Sequence, residues 1–254
     1  MDSRPFDLTG KTAVITGASR GIGAAVAVLL ANWGAHVVIT SRRQPACDEV
    51  AGRIRAAGGK ATAIATHIGD PASIDALFAA LHRQGLGTDI LVNNAAANPY
   101  FGDMLDMDLA SFEKTVDTNI RGYFYTTIRA AALMRDRGGG AIVNVASVNG
   151  RRSAPMQGVY SMTKAAIISL TEGFAKELAK HRICVNAVLP GLTDTKFAGA
   201  LLQNERFLQG FLQQIPLGRV AEPAEIAPAI AFLCAPAAGY ITGASLPVDG
   251  GYLA

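Results

Sequence analysis

A doubly wound α/β fold is predicted by two features of the chain. Short apolar, β-branched runs alternate with longer Ala- and Leu-rich amphipathic stretches, and a glycine-rich turn joins the first run to the first stretch. Seven runs read as strands: Thr12–Thr16, His36–Thr40, Ala61–His67, Ile90–Asn93, Ala141–Val145, Ile183–Leu189 and a last one near Ser245–Val248. Runs that are apolar throughout belong to strands covered on both faces. Between them, Gly23–Trp33, Cys47–Ala57, Ile74–Gln84, Ser111–Arg135, Tyr160–Lys180 and Ala224–Cys234 read as helices. Such alternation implies a parallel sheet with helices on both faces. A (β/α)8 barrel, which wants eight regular units, is the alternative.

Glycine and proline punctuate these elements. Gly34, Gly58-Gly59 and Gly138-Gly139-Gly140 follow helical stretches, as C-terminal caps do, and Pro190-Gly191 ends a strand. The segment Thr193–Gly218 is polar, Gln-rich and without clear pattern. A long irregular segment in a compact domain is expected to act as a lid over a binding site. No repeat or linker divides residues 1–254, so one domain with a lid at 193–218 is expected.

The totals exclude several classes. With 254 residues, 50% hydrophobic and 17% charged, the chain can bury a core and is not globally disordered. The charge sum of 23 − 20 = +3 gives no argument for a nucleic-acid partner. Cys47, Cys184 and Cys234 are sparse and form no CxxC pair, which fits buried thiols in a reducing compartment. The histidines form no HxxxH or HExxH pattern, so no metal is expected. The start Met1–Asp7 lacks the build of a signal peptide, and the apolar stretch Ile22–Ala31 is shorter than the ~20 residues of a membrane span. The expectation is a soluble, cytoplasmic protein with no membrane partner.

Thr16-Gly17-Ala18-Ser19-Arg20-Gly21-Ile22-Gly23 lies between the first strand and first helix. Glycines there permit a tight turn and close approach of backbone to a diphosphate, and the helix N-terminus favours phosphate. The second strand runs into Ser41-Arg42-Arg43 with no acid to bind ribose hydroxyls. Guanidinium groups suit a 2′-phosphate, and Arg20 could reach the same group, which favours NADP(H) over NAD(H).

Tyr160 and Lys164 are four residues apart on a predicted helix and share a face. A phenol of pKa about 10 needs a neighbouring positive charge to act as a base near neutrality. Ser147 follows a strand and precedes Tyr160 by 160 − 147 = 13 positions. Ser147, Asn93-Asn94 and Pro190-Gly191 all sit at carboxyl ends of strands, where ligands of open α/β sheets bind.

With these residues in place the chain resembles the short-chain dehydrogenase/reductase family. The resemblance covers Leu8-Thr9-Gly10-Lys11 through Val248-Asp249-Gly250-Gly251 and rests on Thr16-Gly17-x3-Gly21-x-Gly23, Asn93-Asn94-Ala95, Asn119, Ser147, Tyr160-x3-Lys164 and Pro190-Gly191. It implies a Rossmann fold and hydride transfer between nicotinamide and a carbonyl or secondary alcohol. It also implies that Tyr160 is the general acid/base, that Lys164 binds the nicotinamide ribose and lowers the phenol pKa, and that Ser147 bonds the substrate oxygen. Asn119 would hold a water linking Lys164 to a proton relay. Gly17, Ser19, Arg20, Gly21, Ile22, Gly23, Arg42, Arg43, His67, Ile68, Asn94, Ala95, Pro190, Gly191, Thr193 and Thr195 would contact the cofactor.

Two residues depart from the family pattern: Ala96 stands where glycine is frequent, and His67 where an aspartate usually meets the adenine amine. Asn98-Pro99-Tyr100-Phe101-Gly102 is similar to the branch with NADPH-dependent carbonyl and retinal reductases. Asn149, Met156, Gln157, Phe197, Leu201 and Phe207 are candidate substrate walls. A homotetramer is implied by resemblance. The alternatives are a 3-oxoacyl-carrier-protein reductase docking its carrier on Arg129, Arg135 and Arg137, an NAD-dependent alcohol or sugar dehydrogenase, and a non-catalytic NADP(H)-sensing protein. Intact Ser147, Tyr160 and Lys164 argue against the last.

Overall fold

One parallel sheet runs in the order β3-β2-β1-β4-β5-β6-β7 in the computed structural model, which describes residues 5–202 and 205–254, the side chains of 200, 206 and 207 excepted. Met1–Arg4 and the expected wall side chain Phe207 therefore lie outside the described residues. The strands are β1 (Thr12–Thr16), β2 (His36–Ser41), β3 (Lys60–Ala65), β4 (Ile90–Asn93), β5 (Gly140–Val145), β6 (Ile183–Pro190) and β7 (Ser245–Val248). Strands β3 and β7 are open edges, so the barrel alternative is overturned. Because β1 pairs with both β2 and β4, the winding reverses there and a crevice opens beyond the strands' carboxyl ends.

Strand alternation feeds two cores. Ala13, Ile15, Val37 and Ile39 face helices α1 (Gly21–Asn32) and α9 (Pro223–Cys234), where Val26, Ala27 and Leu30 meet Ile226, Ile230 and Ala231. The intervening Val14, Val38 and Leu91 face α3 (Pro71–Arg83), α5 (Gly122–Asp136) and α6 (Gly158–Leu178) on the other side, against Leu77, Met134 and Phe174. Helix α2 (Gln44–Ala56) joins the first layer through Val50 and Ile54. Gly34 and Gly58 take left-handed φ values of +96° and +86° past helix ends, as caps require.

Two expectations are corrected. The stretch Ser111–Arg135 is not one helix but α4 (Leu109–Val116) and α5, joined by a π turn over Asp117–Arg121 in which the Gly122 N–H reaches back to the Asp117 carbonyl. A π turn inserts one residue into an unbroken helical run, so the sequence pattern does not mark it. The segment after β6 is not irregular throughout: it holds α7 (Gly199–Leu202) and α8 (Glu205–Leu212). Leu208, Phe211 and Leu212 of α8 pack on Val148, Ile215 and Tyr252, so the short helix is held by tertiary contact.

A buried polar ladder ties the strands under the crevice to the helices that flank them. Asn93 Nδ2 donates to Asn144 Oδ1 at 2.9 Å and to Thr127 Oγ1 of α5 at 3.0 Å. Asn144 Nδ2 donates in turn to Thr171 Oγ1 of α6 at 2.9 Å. Replacing Asn144 by Leu strips a partner from two fully buried polar groups. The expected cost is about 1–3 kcal/mol, read as a lower urea midpoint with unchanged m-value.

Candidate functional site

The turn after β1 is shaped by what glycine leaves out. Gly17 has φ +65°, and a Cβ there would lie 2.7 Å from Ala95 Cα. A Cβ at Gly23 would lie 2.5 Å from Asn94 Nδ2. The two loops are stitched together by polar contacts. Thr16 Oγ1 accepts the N–H groups of Asn94 at 2.9 Å and Ala95 at 3.1 Å. Asn94 Nδ2 donates to the carbonyls of Thr16 at 2.9 Å and Gly17 at 3.2 Å. No side chain caps α1, and its first turn carries no acid. Its leading N–H groups thus suit an anion.

This turn floors one end of a cleft of about 880 Å³ that follows the strand ends across the sheet. Ser19, Arg20, Gly21 and Ile22 line it beside Gly17. Arg42 and Arg43 enter from the end of β2, His67 and Ile68 from β3, and Asn94 and Ala95 from β4. Pro190, Gly191, Thr193 and Thr195 close the far side. Arg20, Arg42 and Arg43 are exposed, and none has a carboxylate partner among the described residues. His67 is also exposed on the rim, its backbone N–H held by Ser73 Oγ at 2.9 Å.

The sequence-derived residues Ser147, Asn149, Gln157, Tyr160 and Lys164 converge at the inner end, with Phe197 and Leu201 over them. Ser147 leaves β5 in extended conformation and accepts the Asn149 N–H at 3.1 Å. Tyr160 stands in the first turn of α6, lining the cleft beside Ser147, with the Phe197 ring 5.7 Å away. Lys164, one turn on, is 1% exposed. Its Nζ donates to the Val145 carbonyl at 2.7 Å and lies 5.5 Å from the ring centroids of both Tyr160 and Tyr123.

Burial dominates the electrostatics of this pair. It pushes the Tyr160 phenol above its ordinary range, and the nearby Ser147 hydroxyl offsets only part of that. The expectation that Lys164 leaves this phenol depressed is therefore not met by the protein's own groups. Burial lowers the Lys164 ammonium to about 7.

Three expected site residues sit elsewhere. Gly23 lies behind the turn against Asn94, and Asn119 lies within the π turn. The Asn119 side chain braces the loop after β4, donating to the Ala97 carbonyl at 2.9 Å and Thr163 Oγ1 at 3.0 Å while accepting the Ala97 N–H at 2.8 Å. Met156 has φ +63° and lines a small adjoining pocket instead of the main cleft. Conversely, Ser41, Thr66, Lys114, Thr118 and Phe211 line the cleft without having been singled out. Lys114 and Thr118 share a four-residue spacing, but nothing in the sequence says which helical face meets the cleft.

Comparison with known proteins gives concordant matches. A family model described as Enoyl-(Acyl carrier protein) reductase matches residues 17–253. Dehydrogenase/reductase SDR family member 4 of Oryctolagus cuniculus is 38% identical over 250 residues, covering 98% of this chain and 96% of that protein. L-rhamnose 1-dehydrogenase (NAD(P)(+)) of Azotobacter vinelandii is 40% identical over 249 residues, covering 96% of this chain and 97% of that one. Among solved structures, a gluconate 5-dehydrogenase from Burkholderia cenocepacia in complex with NADP and tartrate superimposes with a TM-score of 0.94 at 30% identity, covering 98% of each chain.

The state of Lys164 has a measurable signature. Held near 7 when folded and at its ordinary 10.5 when unfolded, it binds fewer protons in the folded state between those values. Its destabilising contribution is full below about pH 7 and is relieved as pH rises toward 10. Urea midpoints from pH 7 to 9.5 should rise for the parent protein relative to Lys164→Met. Parallel curves for the two proteins contradict the assignment.

Proposed function

The chain belongs to the short-chain dehydrogenase/reductase family, and from that premise we propose that it is an NADP(H)-dependent oxidoreductase of carbonyl and secondary alcohol substrates. The observation that carries the reading is the buried Ser147–Tyr160–Lys164 cluster at the inner end of a cleft whose outer end is a glycine turn. The residues present fit a dinucleotide. The space a Cβ would fill at Gly17 and Gly23 is needed for the turn to close under a diphosphate, and the α1 N-terminus is uncapped.

The bound nicotinamide supplies or accepts the hydride. The protein's own work is polarisation and proton movement. In reduction, the Tyr160 hydroxyl gives its proton to the substrate oxygen while the Ser147 hydroxyl donates a hydrogen bond to that oxygen. In oxidation, Tyr160 takes the proton back. Burial keeps the phenol protonated near neutrality, which suits the acid role. For the base role, Lys164 as an ammonium favours the phenolate and also binds the ribose hydroxyls. Asn119, through its bonds to Ala97 and Thr163, keeps the loop after β4 and helix α6 in register for this exchange.

Preference for NADP(H) is supported by Arg20, Arg42 and Arg43, three guanidiniums without a carboxylate partner among the described residues, at the end of β2 and the glycine turn, where Ser41 stands in place of an acid. Phe101, Phe197, Leu201 and Phe211 with Asn149 and Gln157 support a mainly apolar substrate with a few polar groups. The described parts of 193–218 act as its lid, with Phe211 of α8 stacked on Tyr252 at 4.8 Å. Carrier-protein docking on Arg129, Arg135 and Arg137 is disfavoured, because they already pair with Asp75, Asp136 and Asp89 at 3.1, 3.3 and 3.2 Å. Exposed Leu105, Leu109, Phe112, Phe124 and Met162 on and around α4–α6 support assembly through those helices into the homotetramer that the family resemblance implies. Three unpaired cysteines support a cytoplasmic setting.

Tyr160→Phe should cut kcat by about 10²–10⁴ on any carbonyl the parent reduces, with NADPH binding retained. Full turnover in that variant would remove the mechanism. Arg42→Ala should raise the KM for NADPH about tenfold and leave that for NADH nearly unchanged, since one charge-assisted contact to a 2′-phosphate is lost. Equal changes for both cofactors would remove the selectivity argument.

A further inference from the structure

A second tyrosine touches the machinery without reaching the cleft. Tyr123, at the start of α5, is 0% exposed, and its hydroxyl donates to the Val145 carbonyl at 3.2 Å. The Lys164 ammonium donates to that same oxygen at 2.7 Å, and its Nζ lies 5.5 Å from the Tyr123 ring centroid. This carbonyl lies just beyond the last β4–β5 pair, Asn93 with Asn144. The next N–H groups of that chain, from Asn94 and Ala95, turn instead to Thr16 Oγ1. Lysine and phenol are thus the donors that the structure gives this buried acceptor from outside the strands.

We propose that Tyr123 is a positioning residue for Lys164: by sharing the Val145 carbonyl, its hydroxyl keeps that acceptor satisfied when the lysine turns to the ribose of the cofactor. A carbonyl oxygen has two lone pairs and can serve both donors together. Without the phenol, a lysine that leaves would strand a buried acceptor, and a lysine that stays would be withheld from the cleft. The aromatic face also gives the ammonium a favourable wall that does not compete for its protons. Two features of the chain place Tyr123 there. The π turn over Asp117–Arg121 sets the rotation at which α5 begins. Gly122 lets that helix come against the Ile68 carbonyl, 2.5 Å from where a Cβ would stand.

The inference rests on the reading of Lys164 as the ribose-binding lysine, and the test separates the two. Tyr123→Phe keeps ring and volume and removes only the hydroxyl, with the melting temperature as the folding control. The intact protein, Tyr123→Phe, Lys164→Met and the double variant are titrated with NADPH, and in parallel NADH, by nicotinamide fluorescence. Tyr123→Phe should weaken binding about tenfold in the Lys164 background and have no further effect beside Lys164→Met. An equal loss in both backgrounds would mark a purely structural tyrosine and overturn the inference. So would unchanged binding in Tyr123→Phe while Lys164→Met binds weakly. If Lys164→Met binds as tightly as the parent, the ribose reading itself falls and the inference falls with it.

Discussion

A buried ammonium with one carbonyl as its hydrogen-bond acceptor among the described residues is the constraint around which the cleft is arranged. An amine in a low-dielectric interior loses hydration worth several kcal/mol, and a single acceptor cannot replace it. Lys164 has no carboxylate within salt-bridge reach among the described residues. What holds it is the end of β5, which presents the Val145 oxygen, and two aromatic faces from α5 and α6. Those elements must therefore be fixed relative to each other. The ladder Thr127–Asn93–Asn144–Thr171 ties α5, β4, β5 and α6 one layer below. Polar groups in that position cost stability where one is left unpaired, as Asn93 Oδ1 is among the described residues, and in return they admit few alternative packings.

The same logic orders the outer half of the cleft. The glycines of the turn have no side chains with which to hold its shape. Thr16 at the end of β1 and Asn94 just beyond β4 tie it to the neighbouring loop through four hydrogen bonds of 2.9–3.2 Å. Asn94 was expected to meet the cofactor. It lines the cleft, but its amide is spent on the turn, so its influence on a bound diphosphate passes through the position of Gly17. Asn119 behaves alike toward the loop at Ala97. Two asparagines that the motif presents as site residues thus also brace the backbone.

Strand positions were legible because burial on both faces imposes apolar runs: β1 and β4, buried throughout, have the bounds that their apolar content marks. Helices α1, α2 and α5 were legible through the glycines that follow them. The site was legible where its chemistry depends on local spacing, as with Tyr160 and Lys164, or on strand ends, as with Ser147, Pro190 and Gly191. What stayed hidden has a common cause. The π turn before Gly122 leaves composition unchanged while rotating everything after it. Helices α7 and α8 are too short to show a period. Met156 was misplaced because its left-handed backbone turns it away from the cleft, which its type does not signal.

By itself, the sequence determined the doubly wound sheet, the glycine turn, the serine–tyrosine–lysine set and the arginines at the end of β2. Each follows from residues close in the chain or from the periodicity of one element. Only the tertiary structure decided the protonation balance and the partners within the cleft. It raised the Tyr160 phenol instead of lowering it, brought Lys164 to about 7, and joined Lys164 to Tyr123 through one carbonyl. Desolvation depends on how much protein surrounds a group from every side, and that sum is set by elements far apart in the chain.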